Sequence, residues 1–175
     1  MILNFFNTAA NLKKTKRQGW IDKLNLKNPE SVADHTFSMA IIGMILSDSE
    51  KYDTEKILKM ILLHDLAESI TGDYTPEQKP KNEKIILENN IIEKLLDELP
   101  SELKGNYLQL WEEYTSNKTK EASFVHQIDK LEMALQARIY HKDGISGDKL
   151  KTFFDSAKNE IKDPALLTLL NQLVN

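Results

Sequence analysis

The sequence predicts an all-α fold, a single helical bundle over residues 1–175. Two observations carry that prediction. Apolar residues recur at three- and four-residue spacing along nearly the whole chain, the period of a helix with one buried face. No stretch alternates apolar and polar residues as a half-buried strand does, and no repeat, low-complexity run or linker divides the chain. The length agrees: 175 residues, 41% of them apolar and with only 6 Gly and 5 Pro, suffice for one core of ordinary size.

The elements follow in order. Ile2, Phe5, Phe6, Ala9 and Leu12 keep helical spacing and mark a first helix. A polar stretch follows from Lys13 to Pro29, broken by Gly19 and Pro29. Ser31 caps a second helix and Asp34, three residues on, completes a weak capping box; the apolar stripe includes Val32, Met39, Ile42 and Leu46. Asp53 is a good N-cap for a third, and Glu55 suits its positively polarised first turn. That helix carries Ile57, Met60, Ile61, Leu62 and Leu63 and stops near Thr71-Gly72, where glycine terminates it. Residues 73–81 hold two prolines and read as a loop. A fourth helix runs from about Glu83 to Leu99 and ends at Pro100; Ser101 starts a fifth, through Trp111 and Tyr114. A long sixth covers Thr119 to His141 and ends before Gly144 and Gly147. The tail adds one or two short helices split by Pro164. Residues 148–175 are expected to pack on a core formed by about 17–137.

Composition excludes several classes of function. Without cysteine there is no disulfide framework, thiolate nucleophile or cysteine zinc site, so any metal must be held by His, Asp or Glu. A net charge of −4 lacks the bulk positive field of a nucleic-acid binder, whereas a local basic cluster or a metal still accommodates a small anion. The longest apolar run, Met39 to Leu46, falls far short of the ~20 residues that span a bilayer, and the N-terminal basic residues follow the apolar part, the reverse of a signal peptide. A cytoplasmic protein with no membrane and no nucleic-acid partner is the expectation.

The informative residues are polar groups inside apolar stripes. His35 shares a helix face with Val32 and Met39; His64 lies four after Met60, Asp65 four after Ile61, and Asp129 between Val125 and Met133 at four-residue spacing. Burying an unpaired carboxylate costs several kcal/mol or neutralises it, so three helices that each turn acids or imidazoles inward need a shared partner. A divalent cation is the simplest. Neighbouring helical residues diverge by about 100°, so His64 and Asp65 can flank one point, with Glu68 one turn further on. Two imidazoles and two carboxylates suit Mn, Co, Fe, Ni or Zn better than Ca, and bundle cores are natural places for such sites. Singly, each residue has an ordinary explanation: a hydrogen-bonded core histidine, a chance His-Asp pair, a half-exposed Asp129–Lys130 ion pair. Their convergence argues for the metal.

Glu68, not needed to complete a four-ligand site, is a candidate for proton transfer or for orienting an attacking water. Asp73 follows the Thr71-Gly72 break and can reach back to the site. Among the basic residues of 13–17, Arg17 suits a phosphate clamp, because guanidinium pairs bidentately with phosphate oxygens. His126 is read as a surface or supporting residue and His141 as a helix C-terminal cation. Trp111 and the apolar tail from Leu166 to Val174 either form an interface between copies or pack on the core.

Four segments in order, RQGW (17–20), ESVADHTFSMA (30–40), LLHDLAESITGDYTP (62–76) and QIDKLEMALQA (127–137), resemble the HD-domain metal-dependent phosphohydrolases. The resemblance is closest to the branch holding HD domain-containing protein 2 and the bacterial 5′-deoxynucleotidases. In the bacterial enzymes the Arg and Trp are adjacent, whereas Gln18 and Gly19 separate Arg17 from Trp20 here. The resemblance implies an all-helical fold and a divalent cation (Mn, Co, Fe, Ni, Zn or Mg) held by His35, His64, Asp65 and Asp129. It implies removal of phosphate from nucleoside 5′-monophosphates with a preference for deoxyribose. Arg17, Trp20, Asp73, Tyr74 and Thr75 are then expected at the substrate. Glu68 and Asp73 are candidates for a second metal, with a backbone contact at Tyr74, and a homodimer is expected. Two other functions compete: a phosphodiesterase or nucleotide-alarmone hydrolase, and a catalytically weak nucleotide-binding module.

Overall fold

In the computed structural model, which describes residues 2–174, every regular element is helical apart from one antiparallel bridge between Lys16 and Ser31. The order is α1 (Ile2–Ala9), a tight 3-10 turn (Ala10–Lys13), α2 (Gln18–Leu24), α3 (Val32–Glu50), α4 (Thr54–His64), α5 (Glu68–Thr71), α6 (Lys81–Leu96), α7 (Ser101–Ser116), α8 (Lys120–Lys142), α9 (Gly147–Glu160) and α10 (Pro164–Val174). Side chains set the helix starts. Ser31 Oγ accepts the Asp34 N–H at 3.1 Å while Asp34 Oδ2 accepts the Ser31 N–H at 2.8 Å, the reciprocal capping box. Asp53 Oδ1 accepts the Lys56 N–H at 3.0 Å, and Thr119 Oγ1 accepts the Ala122 N–H at 3.2 Å.

Three buried clusters knit the helices together. Met39, Ile57, Met60, Ile61, Phe124, Val125, Ile128, Leu166 and Leu170 join α3, α4, α8 and α10. Leu12, Val32, Leu63, Leu66, Ile92, Leu96 and Trp111 form a second cluster under α6 and α7. Trp20, Leu24, Ala137, Leu150 and Phe153 join α2, α8 and α9. Trp111 and the faces of α10 carrying Leu166 and Leu170 therefore pack inward. At the α3–α4 crossing Gly43 faces Ile61, and a Cβ there would collide with Ile61 Cδ1. That glycine lets α3 and α4 pack closely, and each carries one of the two histidines of the site.

Two elements differ from the sequence expectation. The polar stretch after Lys13 contains α2, with Gly19 inside it. Nothing crowds Gly19, and the burial of Trp20 and Leu24, one turn apart, outweighs the ~1 kcal/mol that a helical glycine costs. The third helix does not run unbroken to Thr71. It ends at His64; Asp65 takes φ −110° and ψ 14°, and Leu66 and Glu68 donate to the carbonyls three residues back before α5 forms. Leu63, Leu66 and Ala67 stay buried through this tighter turn, so their spacing fits a helix and a turn equally well.

Candidate metal centre

Four segments bring the polar residues to one point. The capping box fixes the start of α3, whose first turn carries His35, wholly buried. His35 Nδ1 lies 2.5 Å from Glu132 Oε2 on α8. Its Nε2 faces Asp129 Oδ1 at 3.3 Å and Asp65 Oδ2 at 3.9 Å. His64 closes α4, and its Nδ1 lies 2.6 Å from the Ile61 carbonyl, which can only accept; the proton therefore sits on Nδ1 and the Nε2 lone pair points away. His64 Nε2 is 3.0 Å from Asp65 Oδ2. One donor atom from each of His35, His64 and Asp129 lies within 4.8 Å of the others.

These atoms meet without satisfying one another. His35 Nε2, His64 Nε2 and Asp65 Oδ2 are all buried without a hydrogen-bond partner. Buried polar atoms are normally paired, and three orphans that converge make a site shaped for a cation. The donor chemistry fits as well: two imidazole nitrogens and two carboxylates form the mixed set that borderline transition metals accept.

Charge reinforces this. Burial pushes the Asp65 carboxyl up, but His64, Arg17 and His35 outweigh it and hold the group well below the usual carboxylate range. Burial likewise opposes ionisation of Asp129, and Lys130, His35 and Arg17 overcome it. The Arg17 guanidinium stands 3.5 Å from Asp65 Oδ2 and 3.8 Å from Asp129 Oδ1, at the wall of a cavity of about 660 Å³ that the cluster opens into.

Beside the cluster sits an acid pair. Glu68, almost fully buried, accepts Lys84 Nζ at 2.9 Å on Oε1, while its Oε2 is buried without a hydrogen bond. Burial, Asp65 and Asp73 push the Glu68 carboxyl well up. Gly72, at φ 75°, turns the chain after α5 and places Asp73, whose Oδ2 accepts the Gln18 N–H at 2.8 Å. Lys84 Nζ also approaches Glu88 Oε1 at 3.5 Å and Asp73 Oδ1 at 3.9 Å. Burial opposes charge on Lys84, and Glu68, Asp65 and Glu88 more than restore it.

The other residues read from the sequence take varied places. Trp20 is 2% exposed, packed between Tyr140 and Phe153 at ring distances of 5.2 and 4.2 Å, and its indole N–H donates to Glu30 Oε1 at 2.8 Å. It offers the cavity only an apolar edge. Tyr74 and Thr75 line the cavity; Lys79 lies over the Tyr74 ring, and the Thr75 N–H donates to Gln78 Oε1 at 3.2 Å. His126 stacks on Tyr114 at 4.3 Å and bonds its carbonyl at 3.0 Å, and burial pushes its pKa down. His141 bonds the Ile145 carbonyl at 2.9 Å beyond the end of α8.

Sequence reasoning missed Glu132, Glu30, Lys84 and Glu88, whereas the Asp129–Lys130 ion pair it named is present, at 3.2 Å. A signal existed for Glu132: it falls four after Ile128 and three after Asp129, inside the stripe that singled out Asp129. None existed for Lys84 and Glu88, an i,i+4 pair of the kind common on solvated helices. Burial and Glu132 push the Glu30 carboxyl up to about 7.

The family model for the HD domain matches residues 9–167. The chain belongs to the HD-domain family. This HD-domain chain is 41% identical to a Dictyostelium discoideum protein named 5′-deoxynucleotidase HDDC2, over 98% of this chain and 95% of that relative. The human protein of the same name is 35% identical, over 98% of this chain and 84% of its own. A solved protein of Pyrococcus horikoshii OT3 superposes with a TM-score of 0.81 at 32% identity, covering 98% and 97% of the two chains. The all-α fold is thus that of the HD-domain family, whose members depend on a metal. Among the described residues no helix is long and apolar enough to cross a membrane.

Proposed function

We propose that this HD-domain chain is a metal-dependent phosphomonoesterase that hydrolyses nucleoside 5′-monophosphates, with deoxyribose preferred. The observation that carries the reading is the pair of imidazoles whose Nδ1 atoms are committed and whose Nε2 atoms are buried, unpaired and turned to Asp65 and Asp129. His35, His64, Asp65 and Asp129 hold the cation, one of Mn, Co, Fe, Ni, Zn or Mg. When bound, a divalent cation polarises a phosphate oxygen and lowers the pKa of water. The relatives named 5′-deoxynucleotidase support the substrate class.

The chain's own residues divide the remaining work. Arg17, between Asp65 and Asp129 at the cavity wall, pairs with the phosphate oxygens. Glu68 takes the proton of the water that attacks phosphorus; as the P–O5′ bond breaks, O5′ takes up a proton from solvent and the nucleoside leaves as its 5′-hydroxyl, and Glu68 later gives its proton back to solvent. Lys84 favours the ionised form of Glu68 against its burial. Asp73, anchored by the start of α2, and Tyr74 and Thr75 after it form the rim nearest the sugar, and Trp20 lines the same cavity. Glu68 and Asp73 would also be the donors for a second cation, at the place where the Lys84 ammonium sits.

The test is phosphate release from a panel of ribo- and deoxyribonucleoside monophosphates with each divalent metal. Release, fastest from deoxyribonucleotides, is expected. Cleavage of diesters or diphosphates instead would make the chain a phosphodiesterase or alarmone hydrolase, and metal binding without turnover would make it a binding module.

The working form is a cytoplasmic homodimer that engages neither membrane nor nucleic acid. The absence of cysteine suits a reducing compartment and the net charge of −4 disfavours nucleic acid. The outer face of α3 supports pairing: Phe37 is 68% exposed, and Ile41, Met44 and Ile45 follow on the same face. Light scattering is expected to give a dimer mass for the native chain and a monomer mass for Phe37→Glu. A native monomer removes this assignment.

A further inference from the structure

We infer that Glu132 is a positioning residue, whose side-chain oxygen fixes the tautomer and tilt of His35 so that Nε2 presents its lone pair to the cation. This rests on the reading of His35 as a metal ligand. Glu132 lies one turn beyond Asp129 on α8 and is 1% exposed. Its Oε2 meets His35 Nδ1 at 2.5 Å. That contact engages Nδ1 alone, while Nε2 is buried without a hydrogen-bond partner and faces Asp129 and Asp65. The two histidines are thus oriented by different means. His64 relies on a backbone carbonyl within its own helix, whereas His35 relies on a charged side chain from another helix.

A second acid, Glu30, stands near this contact. Donor atoms of Glu30, His35 and Glu132 lie within 4.8 Å of one another. Glu30 is itself held at three points. Its Oε1 accepts the Trp20 indole N–H at 2.8 Å, its own N–H donates to Tyr140 Oη at 2.9 Å, and its carbonyl accepts the Arg17 N–H at 3.1 Å. Because α8 carries both Asp129 and Glu132, one rigid helix sets a ligand and the orientation of its neighbour. A carboxylate that merely filled the core would be costly; one that holds a ligand ring has a reason to be there.

The test uses the full chain, freed of metal and reloaded with cobalt(II). Affinity is read by competition with a chromophoric chelator, ligand geometry by the visible absorption of the bound cobalt, and folding by circular dichroism of the metal-free protein. Glu132→Ala is expected to weaken cobalt binding roughly 10- to 100-fold, the usual cost of losing such an outer partner, and to change the visible spectrum. Glu132→Gln keeps the volume and an acceptor oxygen without the charge; it is expected to recover part of the affinity and covers the case in which the alanine variant does not fold. Folded variants with native cobalt affinity and spectrum would overturn the proposal. If His35→Ala also binds cobalt as the native chain does, the assignment of His35 as a ligand is what has failed.

Discussion

Replacing His64 or Asp129 with alanine is expected to abolish both metal retention and phosphate release. Each variant removes one of the donor atoms that lie within 4.8 Å of one another. The loss exceeds the roughly 10- to 100-fold cost of an outer partner, because a ligand itself goes. The two variants fail for different local reasons. Without His64, the site loses the imidazole nitrogen that stands 3.0 Å from Asp65 Oδ2, and the Ile61 carbonyl loses the ring that it holds. Without Asp129, Arg17 and Lys130 lose their shared carboxylate, and positive charge faces the place meant for a cation. Elemental analysis of the purified variants and a phosphate-release assay read the two losses, with circular dichroism as the control for folding. Full activity in a metal-stripped native sample would sink the metal reading altogether.

How much of this was legible in the sequence depends on how local the cause is. The capping box at Ser31 and Asp34 and the cap at Asp53 are formed within four residues, and both are seen where the sequence places them. The inward acids and imidazoles were legible because each interrupts an apolar stripe of its own helix. Other features depend on distant partners. Trp20 is buried by Tyr140 and Phe153 from α8 and α9, which nothing in residues 13–29 announces. Lys84, on α6, meets Glu68 of α5 only through the fold, so its sequence neighbours reveal a solvated helix and nothing more. The break at Asp65 is hidden for another reason: a tighter turn buries the same residues as a helix would. That break still matters, since it ends α4 at His64 and leaves the Asp65 carboxylate 3.0 Å from the imidazole.

Glu68→Ala is expected to leave the metal in place and to slow turnover by roughly 10²- to 10⁴-fold, the usual share of a positioned proton acceptor. Neither oxygen of Glu68 belongs to the cluster of His35, His64 and Asp129, so its removal does not open that cluster. Glu68 is instead nearly buried, with one oxygen on Lys84 and the other turned into the interior without a hydrogen bond. Burial, Asp65 and Asp73 raise its affinity for a proton, which suits a group that must accept one from water. Glu68→Gln separates shape from basicity: it keeps the contact surface and cannot take the proton, so its rate is expected to fall with that of alanine while KM changes little. Measured metal content decides between the two roles open to this residue. One metal per chain in both native and variant protein, with slow turnover, identifies Glu68 as the proton acceptor. Two metals in the native chain and one in the variant identify it as a ligand of a second cation, with Lys84 displaced. A variant that keeps the native rate removes Glu68 from the mechanism.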